Sequence, residues 1–448
     1  MRKRTKRTTN PRILITTAYR HSRGDFYDAF GDNILTYPRF SFLRTTQSGV
    51  RFIKQNVPEI EVMEFPLWRE YVAKLNQGWD VVGFSFFHHD LGEILEMAEE
   101  ARRQGIRQIW AGGYGAFSVE SAQFADRIFT GYVEKQLNRE LFGRKLDRLR
   151  HPPIVWSIKV NFPPSIPYKK LGILYTQRGC PYRCPFCQTP LHCPEPYPIP
   201  LESIEEVLGF YREHGINEIW ITDETFYSFP SHSEKVIDML SEYGFHWWVM
   251  TRMNLCFDRL DDWSDRGMAV VAFGLESVHD RVLEEIGKKI TLDMIREFRE
   301  RTLRKKIFTM PSYIIGYEED TVSSVLEDYR VLKSIGFDAY QLSVLSPVPG
   351  TPLNDRIVKR YGIFEKDYGK YTGRDLVWNH PNITPLQMRF LHQVGRAALN
   401  PFKCYGRGIL RLIQKRYHQK GFRFLWDDIA RPFIHSLFYD ERRQVYLR

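Results

Sequence analysis

Cys180, Cys184 and Cys187 fall within eight residues, in the run Arg178-Gly179-Cys180-Pro181-Tyr182-Arg183-Cys184-Pro185-Phe186-Cys187. Thiolates are the metal-binding form of cysteine, and three so close repel one another unless a metal neutralises them. Three, rather than four, is the informative number. A structural zinc site closes with four ligands, whereas three thiolates on a four-iron cluster leave one iron open. The alternative from spacing alone is a zinc site completed by Cys193 or His192. Gly179, Pro181 and Pro185 suit a tight loop around a cluster better than the paired knuckles of a zinc ribbon. Cys193, Cys256 and Cys404 are scattered and read as structural thiols.

The loop needs a scaffold, and the surrounding pattern supplies one. Short β-type runs alternate with helical segments from about Lys170 to Pro349. Candidate strands are Leu171–Thr176, Glu218–Asp223, His246–Met250, Met268–Glu276, Ile307–Ile315 and Asp338–Leu345. Helical patterns at Leu201–His214, Ser231–Tyr243, Asp258–Arg266, Leu292–Arg304 and Thr321–Ile335 separate them. Six β/α units make an incomplete (β/α)6 barrel, short of the eight-unit closed form. Active sites of such barrels lie at the carboxyl ends of the strands, where the cysteine run begins.

The chain before this barrel has the same rhythm, with strands expected at Arg12–Thr17, Glu59–Phe65, Asp80–Phe86, Arg107–Gly112 and Asp126–Thr130. That pattern predicts a Rossmann-like parallel sheet with a ligand at its strand ends, where Ser85 and the pair Gly112-Gly113 fall. Five prolines between His151 and Tyr168 suggest a stiff connection. The α/β organisation expected is therefore a Rossmann-like domain over 1–150, a Pro-rich linker over 151–169, a partial barrel over 170–350, and a helical, basic and aromatic region over 351–448.

Composition sets the limits. The chain has 448 residues, 43% hydrophobic and 26% charged, which excludes collagen-like and globally disordered classes. Its longest clean apolar run, Met268 to Leu275, is far below the roughly 20 residues a membrane-spanning helix needs. Six cysteines are too few for a disulfide scaffold in a chain this long, and together with a basic start that lacks a signal-peptide pattern they point to a reducing, cytoplasmic compartment. The net charge of +10 is partly terminal, from Arg2 to Arg7 and from Arg407 to Arg423. It fits solvated tails, or steering of an acidic partner or anionic surface.

These residues carry a family resemblance. The Cys180/Cys184/Cys187 spacing, with aromatic Phe186 before the third cysteine, is similar to the hallmark of the radical S-adenosylmethionine (SAM) superfamily. Asp223-Glu224 follows the second barrel strand, where the family places acidic groups near the methionine amino group. Glu276-Ser277 resembles the contact to ribose and carboxylate, and the stretch ending in Gly316 resembles the segment against adenine. The resemblance implies a 4Fe–4S cluster on the three cysteines and SAM bound by Phe186, Asp223, Glu224, Glu276, Ser277 and Gly316. It further implies one-electron cleavage of SAM to a 5′-deoxyadenosyl radical that takes hydrogen from an organic substrate. The electron would come from an external reductant of flavodoxin or ferredoxin type.

The order of domains resembles the subgroup with an N-terminal cobalamin-binding domain. Ser85, Gly112 and Gly113 would then face cobalamin, although no Asp-x-His-x-x-Gly lower-ligand motif occurs in the chain. With cobalamin the implied reaction is methylation of an unactivated carbon in a small-molecule or lipid-like substrate. Without it, radical cyclisation, rearrangement or oxidation is the alternative. A methylthiotransferase is disfavoured because residues 1–150 lack the three further cysteines it would bring. Rival classes are an RNA-modifying or RNA-binding protein using the basic aromatic stretch Tyr405 to Phe424, and a zinc module. The stripe from Phe422 to Phe438 reads either as a cap on the open side of the barrel or as a peripheral membrane contact. Oligomeric state has no signature.

Overall fold

The computed structural model describes residues 11–21, 39–43, 47–161, 166–438 and 445–447. The basic run from Arg2 to Arg7 lies outside the described residues. Among the described residues fifteen strands follow in chain order. They are β1 (Ile13–Thr16), β2 (Arg39–Leu43), β3 (Glu61–Met63), β4 (Val81–Ser85), β5 (Gln108–Gly112), β6 (Arg127–Ile128), β7 (Val155–Asn161) and β8 (Ile166–Leu174). Then come β9 (Gln177–Arg178), β10 (Tyr197–Pro198), β11 (Glu218–Ile221), β12 (His246–Thr251), β13 (Met268–Glu276), β14 (Phe308–Ile315) and β15 (Gln341–Val344). Two compact units divide the chain between Pro152 and Pro153, with β2 belonging to the second.

The first unit is a parallel sheet in the order β3-β1-β4-β5-β6. Its strands read as near-continuous apolar runs because helices cover both faces. Ile13, Ile15, Val81 and Trp110 from the sheet meet Val50, Ile53 and Leu137 from the helices Ser48–Asn56 and Glu134–Phe142.

In the second unit β8, β11, β12, β13, β14 and β15 are all parallel neighbours, the six barrel strands of the sequence pattern. The sheet is open: β15 forms one edge, and β7 then β2 extend the other. β13 shows why it is central. Phe273 on one face packs edge-on against Phe298 at 5.1 Å and Phe337 at 5.4 Å, in the helical layer. Val270 meets the helix Phe402–Lys420 through Ile409 and Leu412.

The Pro-rich segment departs from the linker reading. Residues 155–161 and 166–174 are β7 and β8, paired antiparallel. Proline is tolerated where a ladder needs no N–H, as beside a bulge. Pro167 pairs with Lys159 next to the register shift that leaves Tyr168 unopposed, and Pro152 and Pro153 precede β7. Pro163 and Pro164 lie outside the described residues.

The C-terminal region is helical, with helices Pro352–Arg360, Pro385–Leu399, Phe402–Lys420 and Arg431–Phe438. The Phe402–Lys420 helix closes the amino ends of the strands through buried ion pairs. Glu218, the first residue of β11, accepts from Lys169 Nζ at 2.5 Å and from Trp248 Nε1 at 2.9 Å, and pairs with Arg416. Asp338 takes Arg299 and Arg411 and accepts from the Thr309 N–H and hydroxyl, each at 3.0 Å. Lys415 donates to Ser264 Oγ at 2.5 Å and to the Met268 carbonyl at 3.2 Å. The cap thus sits at the end opposite the cysteine loop. The aromatic stretch beyond it is divided: Phe424 is buried, whereas Phe422 and Trp426 are 74% and 59% exposed.

Candidate functional site

The cysteine loop leaves the carboxyl end of β8 and enters a two-residue pairing of β9 with β10. Gly179 has φ +79°, and a Cβ there would stand 2.7 Å from Cys193 Sγ, so only glycine permits the turn. Cys193 is buried beneath that turn, with its thiol donating to the Glu195 carbonyl at 3.4 Å and pushed up to about 11 by burial. It is therefore engaged as a structural thiol. Cys256 likewise donates to the Met253 carbonyl.

Cys180, Cys184 and Cys187 are half-buried free thiols. Burial raises the Cys180 and Cys187 thiols above their usual range. Polar groups oppose it. The Thr225 hydroxyl is 3.2 Å from Cys180 Sγ, Thr189 donates to Cys187, and Arg252 Nη1 is 3.6 Å from Cys184 Sγ. Among the described residues no three His, Cys, Asp or Glu side chains converge on a point that one metal ion could occupy. Three thiols on one loop, each backed by a donor or beside one, fit separate irons of a cluster, each of which takes one thiolate.

Asp223 and Glu224 separate in role. The Asp223 carboxylate accepts from the Thr176 N–H at 2.7 Å, the Thr176 hydroxyl at 2.5 Å and the Gln177 N–H at 3.3 Å. It ties the end of β11 to the root of the cysteine loop. Burial pushes its carboxyl up to about 8 against those hydrogen bonds. Glu224 follows it, and its carbonyl accepts from Thr225.

Glu276 ends β13 at φ +66°, where the register with β14 shifts. A non-glycine residue in the left-handed region stores strain that neighbours must hold in place. The turn folds the carboxylate back over Gly274, where a Cβ would lie 2.2 Å from Glu276 Oε1. Lys288 Nζ holds Oε1 at 2.9 Å and the Gly274 carbonyl at 3.1 Å, and the Ser312 hydroxyl is 3.4 Å from Oε2. The pair is buried, which requires such additional partners. Ser277 is buried and accepts from the His279 N–H.

Gly316 directly follows β14 at φ +88°, and a Cβ would stand 2.8 Å from Met388 Cε. Its N–H and that of Tyr317 both donate to Asp320, whose carboxyl burial pushes up to about 6. Phe186 and Tyr317 line a cavity of about 650 Å³, together with Val278, Leu345 and Leu353. The structure therefore brings Phe186 and the segment after Gly316 to one cavity, and Glu276 to the adjoining strand end. Arg252, Lys288, Thr225 and Tyr317 were not singled out by sequence reasoning. Arg252 carried a usable signal, because it directly follows a barrel strand.

In the first unit Ser85 and Gly112 are register partners at the ends of β4 and β5. Ser85 Oγ accepts from Gln47 Nε2 at 3.2 Å. Gly113, at φ +84°, has an internal reason to be glycine, since a Cβ would lie 2.7 Å from the Phe86 carbonyl. His88 is buried, and His89 stands 3.4 Å from Asp90.

Residues 174–332 match the Radical SAM superfamily. The chain is 28% identical over 231 residues to an uncharacterized methyltransferase of Pyrococcus horikoshii, a match covering 48% of each protein. It is 23% identical to the bacteriochlorophyllide d C-8(2)-methyltransferase of Chlorobaculum tepidum, over 70% of this chain and 76% of that one. Among solved structures, the radical SAM methyltransferase TsrM of Kitasatospora setae superposes with TM-score 0.60 at 15% identity, covering 78% of both chains. The cobalamin-dependent SAM radical enzyme OxsB superposes with TM-score 0.54 at 13% identity, over 85% of this chain and 65% of that one. These last two are likenesses of fold. The first curated match spans about half of that relative's length. The second unit thus carries the radical SAM match over residues 174–332, and the chain, with a parallel α/β sheet in the unit before its barrel, is like TsrM and OxsB in fold.

Proposed function

We propose that the chain is a cobalamin-dependent radical SAM methyltransferase. The observation that carries the reading is the joint placement of three free thiols and a strained, lysine-held carboxylate at the carboxyl ends of one open barrel. In this reading Cys180, Cys184 and Cys187 hold a 4Fe–4S cluster and leave one iron for SAM. When bound, these groups supply one-electron cleavage of the sulfonium bond, giving methionine and a 5′-deoxyadenosyl radical. The chain's part is to bind and to exclude water. Glu276, fixed by Lys288 and Ser312, accepts hydrogen bonds from a ribose diol or an ammonium group. Phe186 and the Gly316–Tyr317 backbone wall the adenine, and Ser277 stiffens the strand end. Asp223 holds the loop root, and the acidic pair Asp223-Glu224 lies at the strand end proposed to meet the methionine amino group.

Methylation and cobalamin are supported by the relatives. The names of two similar proteins are methyltransferases, and the TsrM and OxsB structures contain cobalamin. Ser85, Gly112 and Gly113 are the residues proposed to face it. An alternative, radical cyclisation, has its own support. The chain is 25% identical over 233 residues to an anaerobic magnesium-protoporphyrin IX monomethyl ester cyclase of Cereibacter sphaeroides. The absorption spectrum and bound-cofactor mass of anaerobically purified protein test the reading. Iron–sulfur absorption with cobalamin, and transfer of a labelled SAM methyl group, are expected. A cluster without cobalamin would favour cyclisation, and zinc without iron would end both.

The substrate class proposed is a small or lipid-like molecule, reduced chemistry being driven by an external flavodoxin- or ferredoxin-type donor. No helix among the described residues is long and apolar enough to cross a membrane. Exposed Phe422, Leu425, Trp426 and Ile434 alternate with exposed Arg423 and Arg431, a pattern suited to an anionic lipid surface. Co-sedimentation with anionic but not neutral vesicles is expected, and its absence would remove this peripheral contact.

A further inference from the structure

We propose that Arg252 sets the electron affinity of the cluster, by standing as a fixed, otherwise uncompensated positive charge against Cys184. The proposal rests on the assignment of a cluster to Cys180, Cys184 and Cys187.

Arg252 directly follows β12 and is 5% exposed. Its guanidinium carbon lies 3.9 Å over the Tyr182 ring, within the cysteine loop. Nη1 is 3.6 Å from Cys184 Sγ, Nη2 donates to the Gly287 carbonyl, and Nε is 3.4 Å from Asn254 Oδ1. These are neutral acceptors apart from the sulfur. Three arginines at the other end of the sheet do meet carboxylates: Arg299 and Arg411 meet Asp338, and Arg416 meets Glu218. No carboxylate among the described residues lies within ion-pair distance of Arg252. A buried guanidinium without an anion is strongly unfavourable. The anion that the geometry offers it is the Cys184 thiolate.

The electrostatic consequence has a definite sign. Three thiolates on a four-iron cluster make an anionic group, and adding one electron makes it more negative. A cation about one hydrogen bond away lowers the energy of the reduced form more than that of the oxidised form, and low surrounding dielectric strengthens the effect. The electron itself comes from the external one-electron donor, and no bond is made or broken in this step. Arginine does not titrate in proteins, so its influence is constant across working pH. The stacking on Tyr182 and the hydrogen bond to Gly287 hold the charge in place. Gly287 also precedes Lys288, so one short loop fixes both Arg252 and the Glu276 bracket.

The test uses the full chain, anaerobically reconstituted with iron and sulfide and kept free of SAM. The midpoint potential is read by electron paramagnetic resonance during redox titration, for wild type, Arg252→Met and Arg252→Lys. Expected are a more negative midpoint for Arg252→Met, a near-native one for Arg252→Lys, and the same difference at pH 7 and at pH 8.5. The titration reports only the loaded fraction, so partial loss of iron leaves the comparison readable. Arg252→Gln replaces Arg252→Met if the latter holds no iron. A native midpoint in the neutral variants would overturn the proposal. So would equal shifts in the lysine and neutral variants, which would make the role one of packing, and so would loss of the cluster in every neutral variant. Wild type that binds no four-iron cluster would sink the assignment of the cluster instead.

Discussion

Glu218 and Asp223 stand at opposite ends of one strand, both are buried, and their carboxyls are driven in opposite directions. Burial alone would raise both. At the amino end Arg416 and Lys169 overcome it and hold Glu218 down at about 2. At the carboxyl end Asp223 has hydrogen bonds but, among the described residues, no paired cation, and its carboxyl rises to about 8. The same contrast extends across the sheet. Asp338 takes two arginines at the closed end, whereas the end bearing the thiols answers them with Arg252 and Thr225. One end of the barrel has its charges matched by the chain itself. The other leaves room for charge from outside the chain, as the proposed cluster and SAM would bring.

The largest effect belongs to the open end. Replacing Cys180, Cys184 and Cys187 together with Ala should abolish iron binding after anaerobic reconstitution. Thermal unfolding should stay near native, because none of the three supports the core. Full iron content in that variant would break the contrast at its centre.

The closed end should respond in the opposite way. Glu218→Ala leaves Lys169 and Arg416 buried without their anion. Removing one partner of a buried pair typically costs about 3–5 kcal/mol. Chemical denaturation should show a loss of that order, with iron per folded chain unchanged. If Glu218→Ala instead lost iron while keeping its stability, the two ends would not be separable.

Glu276→Ala probes the strained bracket. One charge-assisted hydrogen bond contributes roughly 1.5–3 kcal/mol. SAM affinity, measured calorimetrically on the reconstituted protein, should fall accordingly with the cluster signal intact. An unchanged dissociation constant would remove Glu276 from the site.

Much of this was legible because local pattern and tertiary role agreed. β13 is a continuous apolar run because both of its faces are covered, and the cysteine spacing is confined to one loop. What failed to show was long-range. Proline content suggested a linker at 151–169, but register and a bulge let β7 and β8 form there. Arg252 reaches Cys184 across 68 residues, and Lys288 reaches Glu276 only because β13 ends in a left-handed turn. Arg411 and Arg416 resembled a solvated basic tail until Asp338 and Glu218 were seen to receive them. Charge runs do not reveal their partners.

The smallest expected effect separates the two carboxylates by pH. A group whose folded pKa is depressed, such as Glu218, adds stability above its unfolded value near 4.5, and that stability is lost as pH falls toward about 2. Asp223 has the reverse sign. Its folded pKa is raised from 3.8 to about 8, so between those values the folded chain holds a proton that the unfolded chain has released. Its contribution is most favourable at low pH, declines as pH rises through that window, and is level above about 8. Asp223→Asn keeps one oxygen acceptor for the Thr176 and Gln177 N–H groups but removes the titration. The Thr176 hydroxyl can then turn to accept from the new amide. The variant's melting temperature, relative to wild type, should therefore rise steadily from pH 5 to pH 8. A difference that stays constant across that range would mean that Asp223 is ionised throughout. The carboxyl end of β11 would then be as well compensated as the amino end.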